Sequence, residues 1–265
     1  LLLIGVLVLG EGKGAQRWLD LKVVRFQPSE LLKLALPMML AWYFHDRVLP
    51  PTLSSLLVAL GLIALPAGLI VIQPDLGTAV LVVGSGAFVI FLAGLSWWWI
   101  AGLAAAAAAS LPIVWQFMHE YQKNRVYQFL NPDADPLGSG WQTIQSKIAV
   151  GSGGLYGKGW THGTQSQLEF LPERHTDFVL AVFSEEFGWI GVALLMLAYA
   201  FVVGRSLWIA TNARDSYGRL LGGAIAMTFF TYILVNSAMI TGLMPVKGVP
   251  LPLISYGGTS AVSLL

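Results

Sequence analysis

LSSLLVALGLIALPAGLIVI, residues Leu53 to Ile72, carries no charged side chain anywhere along its length. A helix needs roughly 20 apolar residues to cross the hydrocarbon of a bilayer, and this stretch reaches that length without a break. Four comparable runs follow at Leu76 to Leu95, Trp97 to Met118, Phe178 to Val203 and Arg219 to Thr241. Leu31 to Phe44 is shorter and spans only if its polar first turn is included. Alternation at period two is absent, and hydrocarbon offers no water to an open backbone, so these runs are expected to be helices. The fold expected is all-α, a polytopic transmembrane bundle of about eight helices at the length each span requires. Leu1 to Gly10 reads as the tail of a membrane helix, and Leu253 to Leu265 as part of another. With no initiating Met and no basic leader, no signal peptide is assigned. Residues 1–265 are thus expected to be a single transmembrane domain, truncated at both ends.

Composition agrees. Hydrophobic residues make up 56% of the chain and charged residues 11%, against about 25% charged in soluble domains. There is no cysteine, which removes disulfides and thiol-ligated metals. No basic stripe with interleaved aromatics is present, so nucleic acid is not an expected partner.

Connections alternate across the membrane. One side receives Glu11 to Gln27, the Gln73-Pro74-Asp75 turn, a long loop over residues 119–177, and Gly242 to Pro252. The other receives His45 to Pro51, the link near Ser96, and Gly204 to Gly218. Counting Lys and Arg in the short loops would put the charge-rich side in the cytoplasm. Loops as long as 119–177 are usually functional or disordered. Trp141, Ile148, Trp160 and Phe170 within it predict that it folds back on the bundle.

Ionisable groups at membrane boundaries are the candidate site. Asp177 opens the Phe178 to Val203 run, where it suits a helix N-cap and equally a general base at the water boundary. Glu185 and Glu186 fall roughly 12 Å further along at 1.5 Å per residue, as partners for basic groups or as site residues. Glu30 and Lys33 share a helix face behind Pro28, either as a local ion pair or with Lys33 as a phosphate ligand. Lys123, Arg125, Gln145, Lys147, Lys158, Glu169 and Glu173 lie in the long loop. A solvated face would account for most of them, but they share the side of Asp177 with Arg17 and Lys247.

Three motifs fail. In GSGGLYGKG (Gly151 to Gly159), Ser152 stands where a Walker loop needs its first glycine, Gly159 replaces its Ser/Thr, and Tyr156 occupies the third glycine of a dinucleotide fingerprint. Asp133-Ala134-Asp135 has no α/β domain around it, and Leu137 spoils it as a calcium loop.

Six stretches carry a resemblance. They are GAQRWLD (Gly14 to Asp20), RFQPSE (Arg25 to Glu30), QPDLGT (Gln73 to Thr78), QSKIAVGSGG (Gln145 to Gly154), GWTHGTQSQLEFLPERHTDF (Gly159 to Phe178) and PLPLISYGG (Pro250 to Gly258). Together, in order and across the whole chain, they resemble the SEDS family (shape, elongation, division and sporulation), most of all its RodA branch. That resemblance implies about ten membrane helices in the full protein. It implies peptidoglycan polymerisation from lipid II for elongation and shape, at the outer face of the bacterial cytoplasmic membrane, so it puts the charge-rich side outside. It makes Asp177 the catalytic residue and carries Glu30, Lys33 and Glu169 over from its motifs; with Arg17, Lys123, Arg125, Gln145, Lys147 and Lys247, which share their side of the membrane, these are expected to bind substrate. Asp75, Glu185, Glu186 and Ser255 are expected to be structural or to support the site. Lys247 is a feature more usual in division-type relatives.

A β-1,4 link made from an α-linked sugar diphosphate inverts the anomeric centre, so one displacement suffices, with Asp177 as base and neighbouring cations receiving the diphosphate. The expected partners are lipid II, lipid-linked glycan and a class B penicillin-binding transpeptidase. The sequence has no metal-ligand spacing; the family's chemistry admits a shared Mg or Mn ion. Two rival readings are a lipid II flippase, which would want polar groups along a midplane path, and a noncatalytic scaffold for the transpeptidase.

Overall fold

The computed structural model describes residues 3, 5–6, 19–20, 25–73, 75–118, 120, 123–124, 126–127, 141–168, 170–171, 173–245 and 248–256. These residues form eight helical segments and one two-residue strand pair. The strands are β1 (Leu19–Asp20) and β2 (Arg25–Phe26), antiparallel, with Leu19 opposite Phe26. The helices are α1 (Pro28–His45), α2 (Leu53–Ile72), α3 (Leu76–Leu92), α4 (Trp97–Phe117), α5 (Trp141–Ser152), α6 (Thr164–Gln167), α7 (Val179–Thr211) and α8 (Ser216–Ile240). Four of them, α2, α4, α7 and α8, are long and apolar enough to cross a membrane. The chain is therefore a multi-pass helical membrane protein.

It divides into two compact units. The first comprises residues 1–97, 202–230 and 258–265. Its core is Leu36, Leu40, Ala41 and Phe44 from α1, Leu56, Ala59, Ile63 and Ile70 from α2, Val82, Val89 and Ile90 from α3, and Leu220 and Ala224 from α8. The three helices meet closely at Gly86, where a Cβ would come 2.7 Å from the Ile63 side chain and 3.2 Å from Leu36. Small residues at such crossings let backbones approach where hydrocarbon gives helices no hydrophobic drive to associate. Asp75 starts α3 by accepting from the Thr78 amide at 3.2 Å and hydroxyl at 2.9 Å. That helix stops at Leu92, short of the expected Leu95, because Gly94 turns the chain at φ 91°.

The second unit comprises residues 98–201 and 231–257. Two expectations change here. The described residues of 119–177 are not all loop: α5 and α6 lie among them. Ser146 donates to the Ile240 carbonyl at 3.0 Å, and the Trp141 indole to the Phe170 carbonyl at 2.7 Å. The inward face of α5 is Gln145, Ser146 and Ala149, small or polar residues that hydropathy does not flag.

The other change is in α7. Phe178 to Val203 is not one continuous span, because the helix breaks at Gly188 (φ 65°, ψ −167°). The break opens backbone groups on both sides, and residues 154–159 fill them. The Lys158 and Gly159 amides donate to the Glu185 and Glu186 carbonyls, each at 3.0 Å, while the Trp189 and Ile190 amides donate to the Gly154 and Leu155 carbonyls at 2.9 and 3.2 Å. This docking gives the glycine-rich stretch its use. A Cβ on Gly157 would strike the Glu186 carbonyl, and one on Gly188 would strike the Gly157 amide. Finally, at the start of the expected Leu253 to Leu265 segment residues 252–254 form a turn, and 257–265 lie outside the described residues.

Candidate active site

Asp177 lies at the end of a turn that begins at Glu173, whose φ is 58°. The Thr176 and Phe178 amides both donate to the Glu173 carbonyl, at 3.1 and 3.3 Å, closing the turn. Phe178 is buried and pins it. Three successive carbonyls are then taken up by other parts of the chain. The Tyr256 amide donates to His175 at 2.8 Å, the Ser255 hydroxyl to Thr176 at 2.5 Å, and the Asn236 side-chain amide to Asp177 at 2.9 Å. Asn236, fully buried in α8, also donates to the Val249 carbonyl at 2.7 Å. Ser255 accepts from the Leu251 amide at 2.7 Å, and Tyr199 donates to the Pro252 carbonyl at 2.6 Å. The backbone of Asp177 is thus fixed by groups that never touch its carboxylate.

That carboxylate is half-buried and is not a helix cap. Helix α7 starts at Val179, so Phe178 takes the cap position. Among the described residues no donor meets the Asp177 oxygens. Across from them is Gly248, where a Cβ would sit 3.2 Å from Oδ2; the missing side chain leaves room beside the acid. Burial pushes the Asp177 carboxyl up to about 6, and the negative charge of Glu173 adds to the effect. A carboxylate of that basicity is suited to taking a proton near neutral pH.

The Ser255 hydroxyl lies in the Asp177 turn, on the Thr176 carbonyl. Glu185 is fully buried; it pairs with Lys158 at 2.6 Å and accepts from the Thr164 hydroxyl at 3.0 Å and the Gln165 amide at 3.1 Å. Glu186 is buried beside it. Lys147 is exposed on α5, its stem lying where a Cβ of Gly242 would fall, at the end of α8, while Gln145 is buried on the opposite face. Lys123 pairs with Glu120 at 3.3 Å, an exposed local ion pair.

In the first unit, Glu30 and Lys33 pair at 2.7 Å with both side chains largely buried, and the Gln27 amide reaches Asp75 at 3.4 Å. Arg17, Arg125, Glu169 and Lys247 lie outside the described residues. Among those described, no group of three His, Asp or Glu is placed to hold a metal ion.

Asn236 and Tyr199 were not foreseen. The signal for Asn236 was a lone amide inside an apolar helix, which needs a partner because lipid provides none.

A family model described as the FtsW/RodA/SpoVE cell cycle protein matches residues 1–265. The chain is 53% identical to the peptidoglycan glycosyltransferase MrdB of Escherichia coli K12, over 100% of this chain and 72% of that protein. It is 41% identical to the probable peptidoglycan glycosyltransferase FtsW of Trichlorobacter lovleyi, over 98% and 69%. Among solved structures it matches a chain from a peptidoglycan synthase complex that coordinates polymerization and crosslinking, with TM-score 0.82 and 37% identity over 99% of this chain and 74% of that one. It also matches the rod shape determining protein RodA of Thermus thermophilus, with TM-score 0.69 and 31% identity over 99% and 70%. With a match that runs from the first residue to the last, and closer identity to MrdB than to FtsW, the chain belongs to the FtsW/RodA/SpoVE family, on its RodA side.

Proposed function

We propose that this protein is a peptidoglycan glycosyltransferase that extends glycan strands by inverting transfer, with Asp177 as the general base. The observation that carries the reading is the Asp177 carboxylate, with its backbone fixed by three hydrogen bonds, no described donor on its oxygens, and its basicity raised to about 6. Asp177 takes the proton from the 4-hydroxyl of lipid II. The freed oxygen attacks the anomeric carbon of the lipid-linked glycan. The bond to the polyprenyl diphosphate breaks, and the leaving group departs with the electron pair. Cations stabilise that charge, and Lys33, Lys147, Lys123, Arg17, Arg125 and Lys247 are assigned to the two diphosphates, with Glu30, Gln145 and Glu169 orienting them or the sugars. A shared Mg or Mn ion would draw its ligands chiefly from diphosphate oxygens.

The site faces outward from the bacterial cytoplasmic membrane, in a protein of about ten helices of membrane-spanning length, and residues 119–177 form its extracytoplasmic segment. A class B penicillin-binding transpeptidase works beside it and crosslinks the product. The similarity to a chain of a complex coordinating polymerization and crosslinking supports that partner.

The test is full-length protein in vesicles supplied with lipid II, with and without the transpeptidase. Glycan strands are expected. Transfer of substrate across the bilayer without polymer would favour a flippase, and neither activity would favour a scaffold. The pH profile adds a second check. A base must be ionised, so polymerisation should be present above about pH 6 and fall as pH drops through the Asp177 pKa. Glu173→Gln removes the nearby negative charge and should move that acidic limb to lower pH. Because burial is the larger cause, the limb should remain above the ordinary aspartate range.

A further inference from the structure

We propose that residues 154–160, together with Trp189, form an aromatic shelf seated in the lipid headgroup layer, so that the break at Gly188 marks the edge of the hydrocarbon. This goes beyond the catalytic reading and does not depend on it. The first observation is exposure. Leu155 (61%), Tyr156 (81%), Trp160 (69%) and Trp189 (66%) all present their side chains outward. The Trp189 and Ile190 amides hold the Gly154 and Leu155 carbonyls, and the Trp160 ring packs 5.5 Å from Phe187, so these side chains belong to one surface.

A second observation is that this surface carries little charge and several paired backbone groups. Gly151 to Gly163 contains no acidic residue, and its one lysine, Lys158, is spent on Glu185 at 2.6 Å. Irregular backbone near lipid is tolerated only where its polar groups are paired, and the four hydrogen bonds across the break supply that pairing. Large amphipathic rings are the residues that favour the boundary between headgroups and acyl chains.

Length gives the third. The 33 residues of α7 would rise about 50 Å at 1.5 Å per residue, well beyond the roughly 30 Å of hydrocarbon. Trp189 to Trp208 is 20 residues, the number a helix needs to cross that thickness. Trp208, with the Arg205 guanidinium 4.1 Å over its ring, is the corresponding anchor at the other boundary. On this placement Glu185 and Glu186 lie outside the hydrocarbon, on the Asp177 side. Two neighbouring carboxylates then incur no burial in lipid.

The chain has no cysteine, so single nitroxide labels can be placed at Leu155→Cys and Tyr156→Cys in the full-length protein. Both side chains point outward, and either label alone decides. The protein is reconstituted in phosphatidylethanolamine–phosphatidylglycerol vesicles, and collisions with oxygen and with a water-soluble nickel chelate are measured. Trp208→Cys gives the boundary reference. Arg214→Cys, in the turn between α7 and α8, gives the aqueous one. The shelf labels should match Trp208→Cys, with several-fold less nickel and more oxygen collision than Arg214→Cys. Nickel collision equal to that of Arg214→Cys would make the loop aqueous and overturn the proposal. Shielding from both reagents would mean that protein covers it, and would overturn it too.

Discussion

Asp177→Asn is expected to lower glycan polymerisation by at least about 10²-fold, the usual contribution of a positioned acid–base group, without lowering the melting temperature. The amide keeps the size of the side chain and every backbone bond that holds the turn, because those bonds end on the carbonyls of His175, Thr176 and Asp177. What it loses is the ability to accept a proton. Stability should move the other way, if at all. A carboxyl raised from 3.8 to about 6 favours the fold when protonated, so its contribution is full below about pH 4 and is lost as pH rises through about 6. At neutral pH the wild-type protein keeps a half-buried negative charge near Glu173, and asparagine removes it. A strand-length assay on gels and a melting curve in the same detergent check both halves. Polymerisation near the parental rate would remove Asp177 from the reaction.

The second large effect is expected at Gly157. Gly157→Ala places a methyl group against the Glu186 carbonyl, in backbone at φ 77°. Left-handed backbone costs a non-glycine residue about 1–2 kcal/mol. Pushing the loop away also opens backbone hydrogen bonds at the break, at about 1–3 kcal/mol for each buried group left unmade. The sum, roughly 3 kcal/mol or more, should appear as a marked fall in melting temperature and poor recovery from the membrane. Gly188→Ala should behave alike, because its Cβ would meet the same loop from the other side. Gly151→Ala is the control: nothing lies within 4 Å of that Cβ, and the melting temperature should hold.

Hydropathy located the spans well where lipid alone sets the pattern. Leu53–Ile72 was bounded to the residue, and Trp97 to Met118 to within one. It located them poorly where the chain pairs with itself. Gly188 sits inside an apolar run, and a glycine there leaves hydropathy unchanged while the backbone turns sharply. Helix α5 was invisible because its buried face is Gln145, Ser146 and Ala149. Asp177 stands out in the sequence by its place before an apolar run and by the motif around it. Asn236 and Tyr199 do not, because Asn236 holds the Asp177 carbonyl and Tyr199 that of Pro252 from far away in sequence, and backbone carbonyls carry no side-chain signature. The sequence allows Glu185 two readings, and its contacts with Lys158, Thr164 and Gln165 are between segments that no motif links.

The segment that mends the interruption in α7 precedes it in the polypeptide. During synthesis, residues 154–159 emerge ahead of Glu185 to Ile190, so the groups they pair with never wait for a partner still to be made. A circularly permuted gene that delivered this segment last would thread the discontinuous helix into the bilayer with bare amides and carbonyls at the junction. Such a protein would encode every native contact and still leave that junction unpaired at the edge of the hydrocarbon until its last segment was made.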